Sequence, residues 1–78
     1  MTFSDAVIKR IKDLCKIKKM NINMLSVNSG LNPSTVRSIL KKRAKSPKSE
    51  TLYYICIGFE ITLKEFFDSP IFDDIEDN

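Results

Sequence analysis

Residues Asn21 to Arg43 read NINMLSVNSGLNPSTVRSILKKR and encode two short amphipathic helices on either side of a single glycine. Asn21 is a suitable cap for the first helix, which is predicted to run from about Ile22 to Ser29. Gly30 suits the left-handed conformation that commonly follows a helix, because a Cβ atom costs energy there. The pattern predicts a helix-turn-helix.

The second helix of this corner begins at Asn32-Pro33. Asparagine is a favoured N-cap residue, and proline fits the first helical position because no intrahelical bond needs its missing N–H. The helix is predicted to end at about residue 40 or 41. Its inward side is an apolar stripe of Val36, Ile39 and Leu40. Its outward side is polar and basic, and consists of Ser34, Arg37, Ser38 and Lys41.

A longer amphipathic pattern precedes this corner and predicts helix 1. It begins at about Ser4, a common N-cap residue type with Asp5 in the first turn, and it ends at about Lys19. One stripe of this helix is expected to face the core, and it contains Val7, Ile11, Leu14, Cys15 and Lys18.

Two more helices are predicted after the corner. Helix 4 begins near Ser49, and Gly58 is expected to help end it. Thr62 and Glu65 have the Thr-x-x-Glu spacing in which each side chain bonds the other residue's free backbone N–H, so the last short helix starts there. The sequence therefore predicts an all-α fold, a compact five-helix bundle.

The end of the chain combines aromatic, apolar and acidic residues. Phe66 and Phe67 are expected to close the core of a domain that covers residues 1–70. After Pro70 the sequence IFDDIEDN alternates apolar and acidic residues, which predicts a frayed acidic tail at residues 71–78. Three apolar side chains are unusual in such a tail, so we expect some surface to cover them: Ile71, Phe72 and Ile75.

Length and composition favour a binding module over an enzyme. The 78 residues can bury one compact core but hardly a deep catalytic pocket. The sequence has no histidine, no G-x-S-x-G segment and no glycine-rich phosphate loop. No apolar run approaches the roughly 18 residues that a membrane span needs. We expect a soluble, cytoplasmic protein with no catalytic activity and no small-molecule cofactor.

The two cysteines, Cys15 and Cys56, both fall within apolar helical patterns. No CxxC spacing and no histidine accompany them, so no metal site is expected. We interpret them as reduced core thiols, because free cysteine is among the most buried residue types. A disulfide or a redox sensor is the alternative.

Charge is divided unevenly along the chain. Up to Lys48, twelve basic side chains stand against two acidic ones, which gives a formal charge of +10. From Ser49 onward one lysine stands against eight carboxylates, which gives −7. A basic first half attracts polyanions such as nucleic acid, and the attraction weakens as salt rises.

Several segments beyond the corner match one family. They are IKDLC at residues 11–15, the corner from Leu25 to Ile39, ETLYYIC at 50–56 and LKEFF at 63–67. From Val7 to Phe67 the chain therefore closely resembles the lambda-repressor and Cro type of helix-turn-helix domain, the xenobiotic response element (XRE) family of bacterial transcriptional regulators. The resemblance implies a lambda-repressor-like five-helix bundle. In that fold helix 2 lies across the DNA backbone and the start of helix 3 enters the major groove.

The resemblance also implies which residues of helix 3 contact bases. Carried over by position, they are Pro33, Ser34, Arg37 and Ser38, with Thr35 beside them at bases or backbone. Members of the family often have glutamine at the first positions of this helix, whereas proline has no side-chain donor or acceptor. Arg37 can bond guanine O6 and N7 with two N–H groups, and the serines discriminate poorly. Direct base recognition is therefore predicted to depend mainly on Arg37.

Phosphate contacts in the family come from the start of helix 2, the end of helix 3 and the loop that follows. The corresponding positions in this sequence are Asn21, Asn23, Lys41, Lys42, Arg43 and Lys45. All of these side chains can donate hydrogen bonds. The free backbone N–H groups at the start of helix 2 also favour an anion.

Helix 4 has Tyr53, Tyr54 and Ile57 where related sequences usually have polar outer residues. We expect them to form an apolar patch with Phe72 and Ile75 of the tail, and exposed patches of this kind tend to mark partner surfaces. A homodimer is the expected use, since operators of the family are commonly two-fold, with half-sites about 34–36 Å apart. Folding of the tail over helix 4 of the same molecule is the alternative.

These inferences predict a regulator that binds double-stranded DNA at specific sequences, a repressor of the kind found in bacteria, their phages or mobile elements. The alternative is a protein-interaction module, such as an antitoxin-like or accessory partner, that binds a protein with helix 4 and the acidic tail. Duplex DNA is thus the expected partner, and a membrane is not.

Overall fold

A computed structural model describes residues 1–41 and 47–76, and in these ranges it contains five α-helices followed by one 3₁₀ helix. The helices are α1 (Phe3–Ile17), α2 (Ile22–Ser29), α3 (Pro33–Leu40), α4 (Ser49–Phe59) and α5 (Leu63–Phe67), and the 3₁₀ helix covers Pro70–Asp74. The predicted all-α, five-helix fold is confirmed. No helix in the described ranges has the length and apolar character needed to cross a membrane.

Side-chain caps fix the starts of α2, α3 and α5. Asn21 Oδ1 accepts a backbone N–H at 2.8 Å, and Asn32 Oδ1 accepts one at 3.0 Å. Thr62 and Glu65 form the capping box, with both donor–acceptor distances at 3.0 Å. All three caps were predicted from residue type and spacing, and the structure confirms them.

The N-cap and the last residue of α1 both lie two residues earlier than its sequence pattern predicted. Thr2, not Ser4, is the N-cap, and its Oγ1 accepts the backbone N–H of Asp5 at 3.1 Å. The helix ends at Ile17 because Lys19 adopts a φ of 54°, which is the left-handed conformation. Thr2 and Ser4 are both favoured N-cap residue types, so residue type alone did not decide which of them caps the helix.

α2 and α4 end in the same backbone turn with different residues at the left-handed position. Gly30 follows α2 with a φ of 70°, as predicted, and Glu60 follows α4 with a φ of 59°. In each turn the next residue's N–H bonds the carbonyl five residues earlier at 3.0 Å. Gly58, which was expected to help end α4, instead lies inside that helix.

Gly58 allows α4 to approach α2 closely. A Cβ atom at this position would overlap Ser29 Oγ and would lie 3.1 Å from both Leu25 Cδ1 and the Ser29 nitrogen. The contact between α2 and α4 is the most extensive between any two helices of the described ranges. The Ser29 hydroxyl is buried in it without a hydrogen-bond partner among the described residues. The close packing of two helices, and not a turn, is therefore what requires glycine here.

The core is formed by side chains from all five α-helices. The largest fully buried ones are Phe59, Phe66, Ile11, Leu25 and Ile55, each with none of its surface exposed. Phe67 was expected to close the core together with Phe66, and this was wrong, because Phe67 remains 37% exposed.

Arg10 joins α1 to the end of α5. Its Nε donates a hydrogen bond to the Phe66 carbonyl at 2.7 Å, and its Nη2 donates one to the Glu65 carbonyl at 2.8 Å. Carbonyl groups in the last turn of a helix lack the usual i+4 donor, and the Glu65 carbonyl also accepts a longer bond from the Asp68 N–H at 3.3 Å. The guanidinium supplies two charged donors to them and so ties the last α-helix to the first.

The segment after α5 is folded, so the expectation of a frayed tail was wrong for residues 71–76. Ser69 Oγ accepts the Ile71 N–H at 3.4 Å at the start of the 3₁₀ helix, which packs against α1. Phe72 packs against the core. The Glu76 N–H donates to the Met1 carbonyl at 2.9 Å, so the segment continues along the beginning of the chain.

Candidate nucleic-acid interface

α3 presents a polar face to solvent because its opposite face is held against the core. Val36 is 1% exposed and Ile39 is 5% exposed. All the residues predicted to contact bases are exposed, and these are Pro33, Ser34, Thr35, Arg37 and Ser38. The predicted inner and outer sides of α3 are therefore confirmed, and contact of the outer side with bases stays a prediction.

The first turn of α3 contains, beside the predicted Asn32 cap, a side-chain hydrogen bond that the sequence interpretation missed. Asn32 Oδ1 accepts two hydrogen bonds from Ser34, one from its backbone N–H at 3.0 Å and one from its hydroxyl at 2.9 Å. The hydroxyl proton of Ser34 is thus engaged, and its oxygen remains as an acceptor. The NH₂ group of Asn32 adds two donors at the exposed end of the helix. The order Asn-Pro-Ser was the available signal, because an N-cap side chain bonds groups two or three residues ahead.

An open groove of about 470 Å³ lies where α1, α2 and α3 meet. Four of its lining side chains are polar or cationic, namely Lys12, Asn21, Asn23 and Arg37. The other four are apolar or a thiol, namely Cys15, Met20, Ile22 and Leu40. No carboxylate lines this groove, so its electrostatic character is positive.

The start of α2 adds backbone donors to this groove. Asn21 is the N-cap, and its side chain bonds the Met24 N–H. The N–H groups of Ile22 and Asn23 precede the first intrahelical hydrogen bond of the helix. The positive end of the α2 dipole therefore lies beside the lysine and the arginine.

The structure brings together residues that the sequence interpretation placed in separate groups. Arg37 was predicted to contact bases, and Asn21 and Asn23 to contact phosphates, yet all three line the same groove. Ser34 and Ser38 are exposed and do not line it. Lys12 of α1 lines it as well and was missed, because its position on an exposed face of α1 gave no signal of what lies opposite.

The remaining predicted phosphate contacts follow α3. Lys41 is the C-cap residue of the helix, and its side chain is exposed. Lys42, Arg43 and Lys45 lie outside the described residues, so their predicted contacts stay predictions.

The predicted apolar patch on α4 is present, but the tail does not extend it. Tyr53, Tyr54 and Ile57 are 51%, 44% and 45% exposed, and the two tyrosine rings lie 5.8 Å apart. Phe72 lies instead against other rings, with centroids 4.9 Å from Phe67, 5.9 Å from Phe66 and 6.4 Å from Phe3. Phe72 and Ile75 are both partly buried. The tail therefore packs against α1 and α5, and the tyrosines of α4 remain uncovered.

Both cysteines are free thiols, as expected. Burial raises the pKa of the Cys56 thiol to about 11, although the positive charge of Arg10 opposes the shift. Burial also raises the pKa of Cys15. A raised pKa keeps both thiols protonated near neutral pH, and the thiolate is the more reactive form. Within the described ranges no group of His, Cys, Asp or Glu residues is placed to hold a metal ion.

Comparison with known proteins identifies the family. A sequence model of the Cro/C1-type helix-turn-helix DNA-binding domain matches residues 10–70, which include all of α2, α3, α4 and α5. The chain belongs to the Cro/C1-type family. A search of curated proteins gives no significant match.

A solved structure agrees with this assignment. The crystal structure of the prophage Lp1 protein 11 is similar to the Cro/C1-type fold described here with a TM-score of 0.81 and 28% sequence identity. The similarity covers 96% of this chain and 99% of that one. The resemblance inferred from the four sequence segments is thus confirmed. Membership in the Cro/C1-type family supports DNA as the partner and a role in the regulation of transcription.

Proposed function

We propose that this protein is a repressor that binds a specific double-stranded DNA sequence, with α3 in the major groove and α2 across the sugar-phosphate backbone. One observation supports this assignment above the others. The polar outer face of α3 adjoins a groove without carboxylates, and that groove also contains the start of α2. A duplex can therefore meet base-reading and phosphate-binding groups at the same time.

The two groups of residues have different tasks. Arg37 reads a guanine, while Ser34 and Ser38 bond neighbouring base edges and Pro33 and Thr35 pack beside them. The phosphates are bound by Asn21, Asn23, Lys41, Lys42, Arg43 and Lys45. Since few side chains read bases, we expect an operator that tolerates substitutions at most positions of each half-site.

Selection of binding sites from random duplexes, followed by titration against the selected site and its single-base variants, tests this function. Arg37→Ala should relax preference at one base position and weaken binding to the best site by about 1–3 kcal/mol. Lys41→Ala should lower affinity almost equally for every sequence. Lys64→Ala is the matched control, because Lys64 is an exposed lysine on α5, away from the groove.

Two results would contradict parts of this assignment. If no sequence is enriched, specific recognition is wrong. If Arg37→Ala weakens all sequences equally, Arg37 is a phosphate contact, a role that its place beside Asn21 and Asn23 also permits. The repressor role is tested by placing the selected site over a promoter, where transcription in vitro should fall as the protein is added.

We further propose that two copies bind one operator and that Tyr53, Tyr54 and Ile57 of α4 form the contact between them. The exposure of these three side chains supports the proposal. Sedimentation of the wild type and of Ile57→Asp tests it, with Ile17→Asp as a control at an isoleucine that is 69% exposed elsewhere. Ile57→Asp should give monomers and Ile17→Asp should not. Equal sedimentation of all three proteins would rule out this surface.

The same patch supports a second candidate function, in which the protein binds another protein through α4. This function predicts no complex whose affinity depends on duplex length or sequence. A gel-shift experiment at two salt concentrations separates it from DNA binding, since only the latter gives a duplex-dependent complex that weakens as salt rises.

A further inference from the structure

We propose that the groove between α1, α2 and α3 holds the sugar-phosphate backbone of the DNA and that Lys12 of α1 contacts a phosphate there. The proposal rests on the proposed function and adds α1 to the elements that bind DNA. The observation that supports it is that Lys12 lines the same groove as Asn21, Asn23 and Arg37.

The Lys12 ammonium is available for such a contact. The side chain is exposed and has no ion-pair partner among the described residues. An anion in the groove would have the three N–H donors of Lys12 and the side-chain amides of Asn21 and Asn23 within the same lining. No carboxylate lines this groove, whereas a second cavity that Lys12 also borders is lined by Asp5 and Asp13, and the Asp13 carboxylate is paired there with Lys9.

The composition of the groove matches a sugar-phosphate chain better than a small free anion. Half of the lining is polar or cationic, and the other half is Cys15, Met20, Ile22 and Leu40. A phosphodiester backbone alternates charged phosphates with the carbon atoms of deoxyribose, so both kinds of lining side chain find a counterpart. A small anion uses only the polar half and leaves the apolar half in water.

Lys9 provides a matched control on the same helix. It lies almost one turn before Lys12 and is also exposed, but its Nζ lies 3.4 Å from the Asp13 carboxylate. It does not line the groove between α1, α2 and α3. Loss of either lysine changes the net charge of the protein by the same amount. A difference in DNA affinity between the two variants would therefore reflect the position of the lysine and not the net charge of the protein.

The test is the affinity for duplex DNA over a series of salt concentrations for the wild type, Lys12→Gln, Lys12→Arg and Lys9→Gln. Each phosphate contact contributes about 0.9 to the slope of log K against log salt. Lys12→Gln should lower the slope by about that amount and weaken binding about eightfold at 0.1 M salt, for selected and random duplexes alike. Lys12→Arg and Lys9→Gln should keep the wild-type slope, and thermal unfolding checks that all variants fold.

Failure of this inference is distinguishable from failure of the proposed function. If the wild type selects a sequence and Lys12→Gln keeps the same slope as Lys9→Gln, the Lys12 contact is wrong and the function stands. If Lys12→Gln changes base preference at one position without changing the slope, Lys12 reads a base and the phosphate assignment is overturned. If the wild type binds no duplex, both proposals fail.

Discussion

The two halves of the chain differ in charge and in the side chains that they contribute to the core. Residues up to Lys48 have a formal charge of +10 and contain the candidate interface, and their buried side chains are mostly aliphatic. Residues from Ser49 onward have a formal charge of −7 and supply Phe59 and Phe66, the two largest fully buried side chains. The interface therefore depends on packing against a half that is itself poorly suited to meet DNA. Contacts that join the halves should control both stability and binding.

The largest effect is expected at the contact between α4 and α2. Gly58→Ala should destabilise the protein by about 2 kcal/mol, because the new methyl group overlaps Ser29 Oγ and presses on Leu25. This loss should exceed the gain of roughly 1 kcal/mol in helix propensity. Urea unfolding followed by circular dichroism measures it. DNA affinity should fall in parallel as α2 is displaced.

A double-mutant cycle tests the cause of that loss. Ser29→Ala alone removes a buried hydroxyl that has no partner in the described structure, so it should be neutral or stabilising. Combined with Gly58→Ala it should restore most of the lost stability, since the overlapping atom is gone. Strictly additive effects would show that the Ser29 hydroxyl is not the obstacle.

An intermediate effect is expected at the bridge between α1 and α5. Arg10→Met should cost about 1–2 kcal/mol, because two carbonyls at the end of α5 lose charged donors. Lys9→Met is the control, since an exposed ion pair such as Lys9–Asp13 contributes less than about 1 kcal/mol. Comparable unfolding midpoints for the two variants would mean that solvent replaces the guanidinium without cost.

The smallest effect is expected at the start of α5 and concerns pH. Hydrogen bonds from the Thr62 backbone and then its side chain hold the pKa of Glu65 below its ordinary value of 4.5, with the charge of Lys18 adding slightly. Because the pKa of Glu65 is lower in the folded state, its ionised carboxylate stabilises the fold. This stabilisation is complete above pH 4.5 and is lost as pH falls through the lower pKa of the folded state. Glu65→Gln should reduce the fall in the free energy of unfolding between neutral and acid pH. An unchanged dependence on pH would contradict the prediction.

Local rules made one part of the fold predictable from the sequence. Asn21, Gly30 and Asn32-Pro33 bound α2 and α3 through caps and turns that involve only neighbouring residues, and all of them appear as predicted. Thr62 starts α5 for the same reason. The exposure of the outer face of α3 was also predictable, because a helical period of 3.6 residues fixes which side chains lie opposite Val36.

Features that depend on distant segments were not predictable in this way. Gly58 resembles a helix terminator in sequence, and only the approach of α2 shows its role. Lys12 resembles an ordinary surface lysine until the start of α2 is placed beside it. Phe72 follows a proline in an acidic segment, and nothing local indicates that it packs among the aromatic rings of α5 and Phe3.

The bridge from Arg10 to the carbonyl of Phe66 has a consequence for the order of folding. The helix-turn-helix is complete in sequence by Lys41, but its core partners Phe59 and Phe66 are synthesised later. Contacts between residues so far apart form only after a large loop closes. On the ribosome we expect the emerging first half to remain unfolded until α5 has left the exit tunnel, and the ability to bind DNA then to appear in one cooperative step.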